Sequence, residues 1–397
     1  MARGNKLRIA VIGCGTAGSA AALFLARAGH EVTVFERVAE PKPVGAGIIV
    51  QPTGQAVLSQ LGLLGHVANR AAKLDRLWLR APSGRTLVDL HYARIDPSMH
   101  GLGTHRGVLF DALFQAVKRE VLLRVGSEII EIRGNQIVDH GMRLHGPFDR
   151  ILVSDGSLSR LRADHVARDS TYPWGALWFV APDREHVFTR ELYQVASHAR
   201  QLYGVLPTGQ GPDGVPCASL FWSIAAADLP AWRARGLDAW KADVRALDPR
   251  IDLVLDQIHS LDQLTFARYR DVTMPRWDVG HVAFIGDAAH AASPQLGQGA
   301  NLALVDALVA AEEIHDLSRY TRRRRRHLAY YQFMTRALTP FFQSHSRVLA
   351  TLRDLTFPIA NRIAPFRSLM IRTMAGLVCL PSATANPVPT NPLAGYQ

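Results

Sequence analysis

Apolar and polar positions near the start of the chain predict a strand, a glycine-rich turn, a helix and a second strand. Apolar residues form one short continuous run, the next segment is rich in Ala and Leu, and a second apolar run follows. In chain order these are a strand at 7–12, a helix to about Arg27 and a strand at 31–35. This order is typical of the unit that opens a nucleotide-binding parallel sheet.

The turn between the first strand and the helix has the spacing that a bound pyrophosphate requires. Gly13 allows a tight turn, Gly15 lets the backbone approach the anion, and Gly18 lets the helix pack closely on the strand. The first helical turn then points its unpaired N–H groups at the phosphates. We therefore expect cofactor contacts at these glycines and at Ala17 between them.

An acid at the end of the second strand extends the same pattern. Glu36 stands 18 positions after Gly18, where a carboxylate can bind ribose hydroxyls. It also disfavours a 2′-phosphate at this place, because two negative charges would meet. We assign Glu36 and its neighbour Arg37 to the cofactor site. These features alone do not distinguish NAD from FAD.

Two later segments repeat the arrangement of a strand followed by a turn. The first strand ends in Asp155-Gly156, and the second ends in Gly286-Asp287. After the second strand comes Ser293-Pro294-Gln295-Leu296-Gly297-Gln298-Gly299-Ala300-Asn301, and a predicted helix runs from there to about Glu313.

These three segments, in this order, resemble the flavoprotein monooxygenases of the para-hydroxybenzoate hydroxylase type, the single-component aromatic hydroxylases. The resemblance covers most of residues 7–335 and implies an α/β protein. Its Rossmann-like FAD-binding domain, with a parallel sheet, is split in sequence by a mostly antiparallel substrate domain, and C-terminal helices follow. The expected ranges are 1–75, 101–165 and 272–335 for the FAD-binding domain, 76–100 and 166–271 for the substrate domain, 336–380 for the helical segment and 381–397 for a Pro-rich tail.

The resemblance also implies roles for individual residues. Asp287 corresponds to the family residue that accepts a hydrogen bond from the flavin ribitol. Pro294 lies where the family loop runs between flavin and substrate, and the start of the following helix stabilises negative charge on the reduced flavin. That helix start comprises Gly297, Gly299, Ala300 and Asn301.

Three further cofactor contacts follow from the same resemblance. Asp155 belongs to a family segment near the cofactor pyrophosphate, although Ser154 replaces the more usual Gly-Ala before it. Arg106 corresponds to an arginine that reaches the ribitol or the pyrophosphate, and Gly47 belongs to a loop beside the flavin. Each assignment has a structural alternative. Asp155 could form a plain turn at a strand end, Arg106 could be a surface arginine, and Gly47 could serve only a turn.

The middle of the chain predicts an antiparallel sheet. Four strand-like stretches lie at 174–180, 192–197, 201–206 and 217–224, and a turn-rich segment at 207–216 joins the last two. Tyr203 and Trp222 are candidates for an aromatic substrate pocket, with core packing as the alternative for each. Because side chains alternate along a strand, we expect Phe221 and Trp222 to face opposite sides.

The activity implied by the resemblance is hydroxylation of an aromatic ring. NADH or NADPH reduces FAD, the reduced flavin reacts with O2, and a flavin C4a-hydroperoxide transfers one oxygen atom to an electron-rich, typically phenolic, small molecule. No metal site and no acid-base residue are assigned. Two alternatives stay open: a same-fold reductase acting on an isoprenoid or quinone precursor, and a non-catalytic dinucleotide-binding protein.

Charge along the chain is uneven. The formal net charge is +11, yet residues 317–372 contain 12 arginines and one acid, Asp354. We interpret Arg322–Arg326 as a solvated helical face, and no nucleic-acid motif accompanies it. An amphipathic helix pair at 339–380 is expected to pack on the FAD domain, with peripheral membrane contact of its basic face as the alternative.

Hydropathy and cysteine content bear on the compartment. No apolar stretch approaches the ~18 residues of a membrane-spanning helix, and the three cysteines are scattered without disulfide or metal-ligand spacing. We therefore expect no integral membrane segment and a cytoplasmic protein. The oligomeric state stays open.

Overall fold

Strands and helices alternate in the first part of the chain, and strands dominate the middle. The computed structural model describes residues 5–42, 45–211 and 213–380. Its strands are β1 (Arg8–Ile12), β2 (Glu31–Phe35), β3 (Gly47–Val50), β4 (Ala72–Leu74), β5 (Arg76–Arg80), β6 (Thr86–His91), β7 (Gly101–His105), β8 (Leu122–Arg124), β9 (Ile129–Arg133), β10 (Gln136–Asp139), β11 (Leu144–His145), β12 (Arg150–Val153), β13 (Arg168–Pro182), β14 (Glu191–Ser197), β15 (Gln201–Gln210), β16 (Pro216–Ala225), β17 (Thr265–Thr273), β18 (Asp278–Val279) and β19 (Val282–Phe284).

The helices occupy the segments between strands and most of the C-terminal part. They are α1 (Thr16–Arg27), α2 (Pro52–Gln60), α3 (Leu64–Ala68), α4 (Arg106–Glu120), α5 (Leu229–Leu247), α6 (Asp252–Leu255), α7 (Asp287–His290), α8 (Gly299–Glu312), α9 (Leu317–Leu338), α10 (Arg347–Arg362) and α11 (Ala364–Met374). Within the described ranges, none of them is both long and apolar enough to cross a membrane. The Pro-rich tail predicted at 381–397 lies outside the described residues.

A six-stranded sheet holds all three motif segments. Its order is β18-β19-β12-β1-β2-β8, and every pair is parallel except β18–β19. The central strands are buried on both faces, which is why they consist of continuous apolar runs rather than alternating ones. The strand, turn, helix and second strand predicted for residues 7–35 are confirmed.

A seven-stranded sheet is built from the chain segments between those motifs. Its order is β17-β13-β16-β15-β14-β5-β6, and only the pair β14–β5 is parallel. The predicted fold class, a parallel sheet combined with a mostly antiparallel one and C-terminal helices, is confirmed. The domain boundaries stay a prediction, although these seven strands come from residues 76–91 and 168–273.

The predicted turn between the third and fourth strands of the middle region is too long. Strand β15 continues to Gln210, and β16 begins at Pro216. Pro207 pairs with Ala218 next to an irregular register, and Pro216 begins its strand. Proline is tolerated at such positions because no backbone N–H is needed there for hydrogen bonding between strands. The two prolines therefore lie within strands and do not delimit the turn.

The C-terminal helix pair packs differently from the prediction. Helices α10 and α11 lie mainly on β6, an edge strand of the seven-stranded sheet. Only the end of α11 contacts the FAD side as predicted, where Thr373 Oγ1 lies 2.6 Å from Tyr330 Oη of α9. Asn361 Oδ1 accepts the otherwise unpaired backbone N–H of Asp89 at 3.2 Å. An edge strand presents such free groups, and covering them is the physical reason for this placement.

Candidate cofactor and substrate site

The glycine turn between β1 and α1 leaves an open cradle. Gly13 has a φ of +97°, and a Cβ there would lie 2.6 Å from the Ser154 carbonyl oxygen. A Cβ on Gly18 would lie 2.0 Å from the Gly13 carbonyl oxygen. A Cβ on Gly15, in contrast, would meet no described atom within 4 Å. Gly13 and Gly18 are thus required by packing, and Gly15 borders open space beside the N-terminus of α1.

Ser154, the departure from the family pattern, is part of this turn. Its Oγ lies 2.8 Å from the Ile12 carbonyl oxygen and 3.0 Å from the Gly13 carbonyl oxygen. Its side chain is buried beneath the cradle. The hydroxyl therefore holds the end of β1 against the end of β12. A polar residue at the end of a buried strand was the signal in the sequence that could have revealed this contact.

Glu36 lies at the same cradle, as its spacing suggested. Its Oε2 accepts the Cys14 backbone N–H at 2.8 Å, and its Oε1 accepts the Val38 backbone N–H at 3.0 Å. Arg37 beside it is exposed. Burial raises the pKa of Asp155 on the neighbouring strand end, and the charge of Arg37 opposes that rise.

Arg162 joins the Asp-Gly segment to the Gly-Asp segment. Its guanidinium is 1% exposed and donates to the carbonyl oxygens of Gly156 at 3.2 Å, Ser157 at 2.5 Å and Ala288 at 3.3 Å. The carboxylate of Asp169 balances its charge at 2.7 Å. One buried cation thus fixes two loops that lie far apart in sequence.

The Gly-Asp segment packs directly on the first helix. Gly286 has a φ of +61°, and a Cβ there would lie 2.9 Å from Cβ of Ala17, so Ala17 serves this packing. Asp287 follows at the start of α7 and is exposed. Its Oδ1 is 4.0 Å from the position of a Cβ on Gly299. Asp287 and Gly299 therefore border the same open space.

The loop that leads into α8 has exposed residues at most positions where cofactor contact was predicted. Its last predicted contact, Asn301, is buried and holds the loop to the rest of the protein. Pro294, Gly297 and Gly299 are exposed, and Ala300 is half-buried. Asn301 is buried, and its side chain accepts the Gln51 backbone N–H at 2.8 Å and donates to the Ile49 carbonyl oxygen at 3.1 Å. The Asn301 amide thus ties α8 to β3 and is not available to a ligand.

Gly47 and Arg106 lie at the same end of the β3–β7 pair, where Gly47 pairs with His105 and the Arg106 N–H donates to the Ala46 carbonyl oxygen at 3.0 Å. Gly47 is buried, its N–H donates to Ser219 Oγ at 3.1 Å, and a Cβ there would lie 2.6 Å from Thr208 Cγ2. Its observed role is close packing on the seven-stranded sheet. Arg106 is exposed at the start of α4, and its side chain lies over Gly45, whose Cβ would be 3.1 Å from Arg106 Cδ.

A buried carboxylate behind the Gly-Asp segment was not predicted. Asp306 accepts the Gly286 backbone N–H at 2.9 Å, a short contact from His290 Nε2, and Arg324 Nε at 2.7 Å. Burial opposes its ionisation, but His290 and Arg324 together lower the pKa of Asp306 to about 2. The ion pair therefore holds the backbone that precedes Asp287.

The interpretation of Arg322–Arg326 as a solvated face is wrong for one residue. Arg324 is 1% exposed, because the helical period places it on the same face as Tyr320 and His327. Arg324 Nη1 donates to His327 Nδ1 at 2.7 Å, so the other ring nitrogen donates to the Gly376 carbonyl oxygen at 3.0 Å. Burial and the charge of Arg324 lower the pKa of His327 to about 3.

Tyr203 and Trp222 do not face the loop that contains Pro294. Both are buried in a core cluster with α5, and the Trp222 ring centroid is 6.2 Å from that of Trp240. The long helix α5 was not predicted. The sequence therefore did not indicate that one face of the sheet is covered by this helix. Phe221 faces the other side with Trp178, at a centroid distance of 5.2 Å, as strand alternation suggested.

Three buried polar atoms on or near that second side lack a hydrogen-bond partner among the described residues. They are Trp174 Nε1, Ser293 Oγ and Gln343 Oε1. Gln343 Nε2 donates to Ser223 Oγ at 3.1 Å, and the loop with Ser293 is held to β17 by the bond from Val272 N–H to the Ala291 carbonyl oxygen at 2.9 Å. A buried polar atom without a partner is costly, but Trp232 Nε1 and Trp240 Nε1 on the α5 side lack partners within the described ranges too, so these atoms do not by themselves mark a binding face.

Comparisons with known proteins agree with this geometry. The family model described as "FAD binding domain" matches residues 6–104 and 240–338. The chain is 29% identical to 3-amino-4-hydroxybenzoate 2-monooxygenase PtmB3 of Streptomyces platensis, over 78% of this chain and 79% of that protein. It is 27% identical to 6-hydroxynicotinate 3-monooxygenase of Pseudomonas fluorescens, over 77% and 81%. The crystal structure of P. aeruginosa PqsL in complex with 2-aminobenzoylacetate is similar in fold, with a TM-score of 0.75, 19% identity and coverage of 88% and 100%.

Proposed function

The chain belongs to the FAD-dependent aromatic monooxygenases of the para-hydroxybenzoate hydroxylase type, and we propose that it uses NADH or NADPH together with O2 to hydroxylate a small phenolic or related aromatic molecule. One observation carries this proposal: three sequence segments far apart in the chain meet around a single open cradle. Arg162 joins two of them, and Gly286 packs against α1 of the third.

The residues around the cradle fit the parts of FAD. The first N–H groups of α1 and the open side of Gly15 fit the pyrophosphate. Glu36 fits a ribose, since each carboxylate oxygen retains a lone pair beyond its bond to the backbone. Asp287 and Arg106, both exposed, are proposed to hold the ribitol side. When bound, FAD supplies hydride acceptance and activation of O2.

The start of α8 is proposed to stabilise negative charge beside the flavin ring. Its N-terminal N–H groups carry the positive end of the helix dipole, and Gly297 and Gly299 leave them accessible. Asn301 anchors this turn to β3, so the N–H groups are held before any ligand arrives. The proposed contribution of Pro294 is an exposed, rigid wall of the reaction cavity.

The proposed substrate is an electron-rich ring that carries hydrogen-bonding groups. On one side of the seven-stranded sheet the half-buried ring of Trp178 lies against the buried ring of Phe221, and Trp174 and Gln343 offer neutral polar atoms without partners among the described residues. Such a surface suits a phenol or hydroxylated heteroaromatic ring. The relatives named for 3-amino-4-hydroxybenzoate and 6-hydroxynicotinate hydroxylation support this class.

Domain division and compartment complete the proposal. We retain 1–75, 101–165 and 272–335 as the FAD-binding domain, and 76–100 with 166–271 as the substrate domain. Cys14, Cys217 and Cys379 are free thiols, which supports a reducing, cytoplasmic setting.

Purification followed by a substrate screen tests the function. We expect a yellow protein whose NADH or NADPH consumption accelerates with phenols or hydroxylated heteroaromatics, and a product one oxygen atom heavier than the substrate. Accelerated consumption without oxygen incorporation would favour the same-fold reductase, and a protein unable to take up FAD would refute the proposal.

The Asp287→Ala variant tests the assigned cofactor contact. It should retain FAD at least about tenfold more weakly, because a carboxylate hydrogen bond to a hydroxyl contributes roughly 1.5 to 3 kcal/mol. Asp256→Ala, on the surface beyond α6, is the matched control and should leave the flavin content unchanged. Equal FAD content in both variants would contradict the role of Asp287.

A further inference from the structure

Helices α10 and α11 carry a row of large apolar side chains on their outer surface. Six of them, which we call the C-terminal ridge, are 43% to 75% exposed: Val348, Leu352, Leu355, Ile359, Ile363 and Phe366. Their spacing of three or four residues places those on α10 along one helical face. A row of this size exceeds the scattered apolar side chains that are normal on a protein surface.

The opposite face of α10 packs against the rest of the protein. Ala350 and Arg353 are buried, and Arg353 Nη1 donates to the carbonyl oxygens of His198 at 2.6 Å and Phe341 at 3.0 Å. Asn361 bonds to strand β6. The helix therefore docks on the sheet through one face and presents the C-terminal ridge on the other, so the ridge is not an unfinished packing contact.

The charge around the C-terminal ridge has one sign. Arg347, Arg362 and Arg372 are exposed on the same two helices. The one acid in residues 347–372 is Asp354, and Arg353 pairs with it at 2.7 Å. The ridge thus combines exposed apolar side chains with arginines that no acid of these helices balances.

The combination of exposed apolar side chains and unbalanced arginines favours one of three possible binding partners for the ridge. A second copy of the chain would bring the same arginines face to face without an acid to pair them. The segment 381–397 contains no Asp or Glu, so it cannot balance the charge either. A bilayer with anionic headgroups supplies both an apolar layer and negative charge, which are the two features that bind amphipathic cationic helices.

We propose that the C-terminal ridge binds the surface of membranes that contain anionic phospholipids. The apolar side chains enter at headgroup depth, and Arg347, Arg362 and Arg372 contact lipid phosphates. Helix α11 ends beside the loop that enters α8, where Gln298 Nε2 donates to the Met374 carbonyl oxygen at 2.6 Å. Binding therefore holds the proposed active site close to the membrane surface.

Vesicle co-sedimentation of the FAD-loaded full-length protein tests the proposal without measuring activity. Vesicles of phosphatidylcholine alone are compared with vesicles that also contain phosphatidylglycerol. We expect at least about tenfold stronger binding to the anionic vesicles, and weaker binding at high salt because the arginine contribution is screened. Equal binding to both vesicle types, or to neither, would overturn the proposal.

Matched double variants separate the ridge from general surface hydrophobicity. Leu355→Ser with Ile359→Ser removes two ridge side chains, and Ile130→Ser with Met142→Ser makes the same kind of change at exposed positions in and beside the β9–β11 sheet. We expect the ridge variant to lose about tenfold in vesicle affinity and the control to lose none. FAD content and unfolding temperature of each variant exclude misfolding as the cause. Equal losses in both variants would refute the assignment, as would self-association in solution that the ridge variant abolishes.

Discussion

The proposed cofactor cradle and the proposed substrate side of the seven-stranded sheet are built by different parts of the chain. In the cradle, backbone atoms contact backbone atoms, as where a Cβ on Gly18 would lie 2.0 Å from the Gly13 carbonyl oxygen. On the proposed substrate side, large side chains such as Phe221 and Trp178 pack against each other. A site built from backbone allows few residue types, whereas one built from side chains allows many. The cradle is therefore readable from motifs, and the substrate is not.

The strongest test of this difference is to add a methyl group inside the cradle. Gly18→Ala places a Cβ in collision with the Gly13 carbonyl oxygen, so we expect loss of FAD binding by at least about 100-fold together with reduced stability. Gly15→Ala has no described atom within 4 Å of its new Cβ, and should fold normally while losing FAD affinity.

Flavin content and unfolding temperature distinguish these outcomes. Gly65→Ala on α3, which also meets no described atom within 4 Å, is the neutral control and should change neither property. Normal FAD binding by Gly15→Ala would mean that the pyrophosphate does not approach the turn, and would refute the cradle as assigned.

Removing the charge of Asp306 should have the next largest effect. Asp306→Asn leaves Arg324 buried without its anion, and breaking one side of a buried pair costs about 3 to 5 kcal/mol of unfolding free energy. Glu120→Gln breaks the half-exposed pair with Arg27 at 2.7 Å and should cost less than about 1 kcal/mol. Denaturant unfolding measures both, and equal losses would contradict the buried network.

The two faces of β16 offer a direct comparison on the substrate side. Trp222→Ala empties the core against α5 and should cost about 3 to 5 kcal/mol of stability. Phe221→Ala, on the other face, also removes a buried ring and should cost a similar amount of stability, but of the two variants it alone should raise KM for the aromatic substrate. Unfolding curves and steady-state kinetics check both variants. A KM effect confined to Trp222→Ala would reverse the proposed assignment of the faces.

Acid should destabilise the protein through His327. Its pKa of about 3 in the folded state lies below the value near 6.5 of an unfolded chain, so the unfolded state binds more protons between these pH values. Stability should therefore fall as the pH drops from about 6.5 to about 3, by up to roughly 1.4 kcal/mol per pH unit. His327→Gln should flatten this slope. Asp306 adds its own loss only below about pH 4, since its pKa is lowered to about 2.

The smallest expected effect concerns Ser154. Ser154→Ala removes the hydroxyl that bonds to the Ile12 and Gly13 carbonyl oxygens, and should cost about 1 kcal/mol of stability and a few-fold in FAD affinity. Ser98→Ala removes an exposed hydroxyl that bonds to Asp96 and is the control. Titration with FAD checks both variants, and identical affinities would show that Ser154 does not shape the cradle.

The sequence by itself determined the order of strands and helices around the cradle, and it led to FAD through Gly286-Asp287 and the loop to Asn301. These features are local: a glycine that permits a turn, or an acid at a strand end, is decided by neighbours within a few residues. The sequence also separated Phe221 from Trp222, because strand alternation is local as well.

Only the tertiary structure decided which face of the sheet Tyr203 and Trp222 occupy, since that depends on α5 packing against one side. It likewise buried Arg324 from a run that looks solvated, because Asp306, 18 positions earlier, supplies the opposite charge. The glycines of the cradle form the turn between β1 and α1, and the ion pair holds the Gly286-Asp287 turn that packs against that helix. The first could be read from spacing, whereas the second required knowing which distant side chains meet.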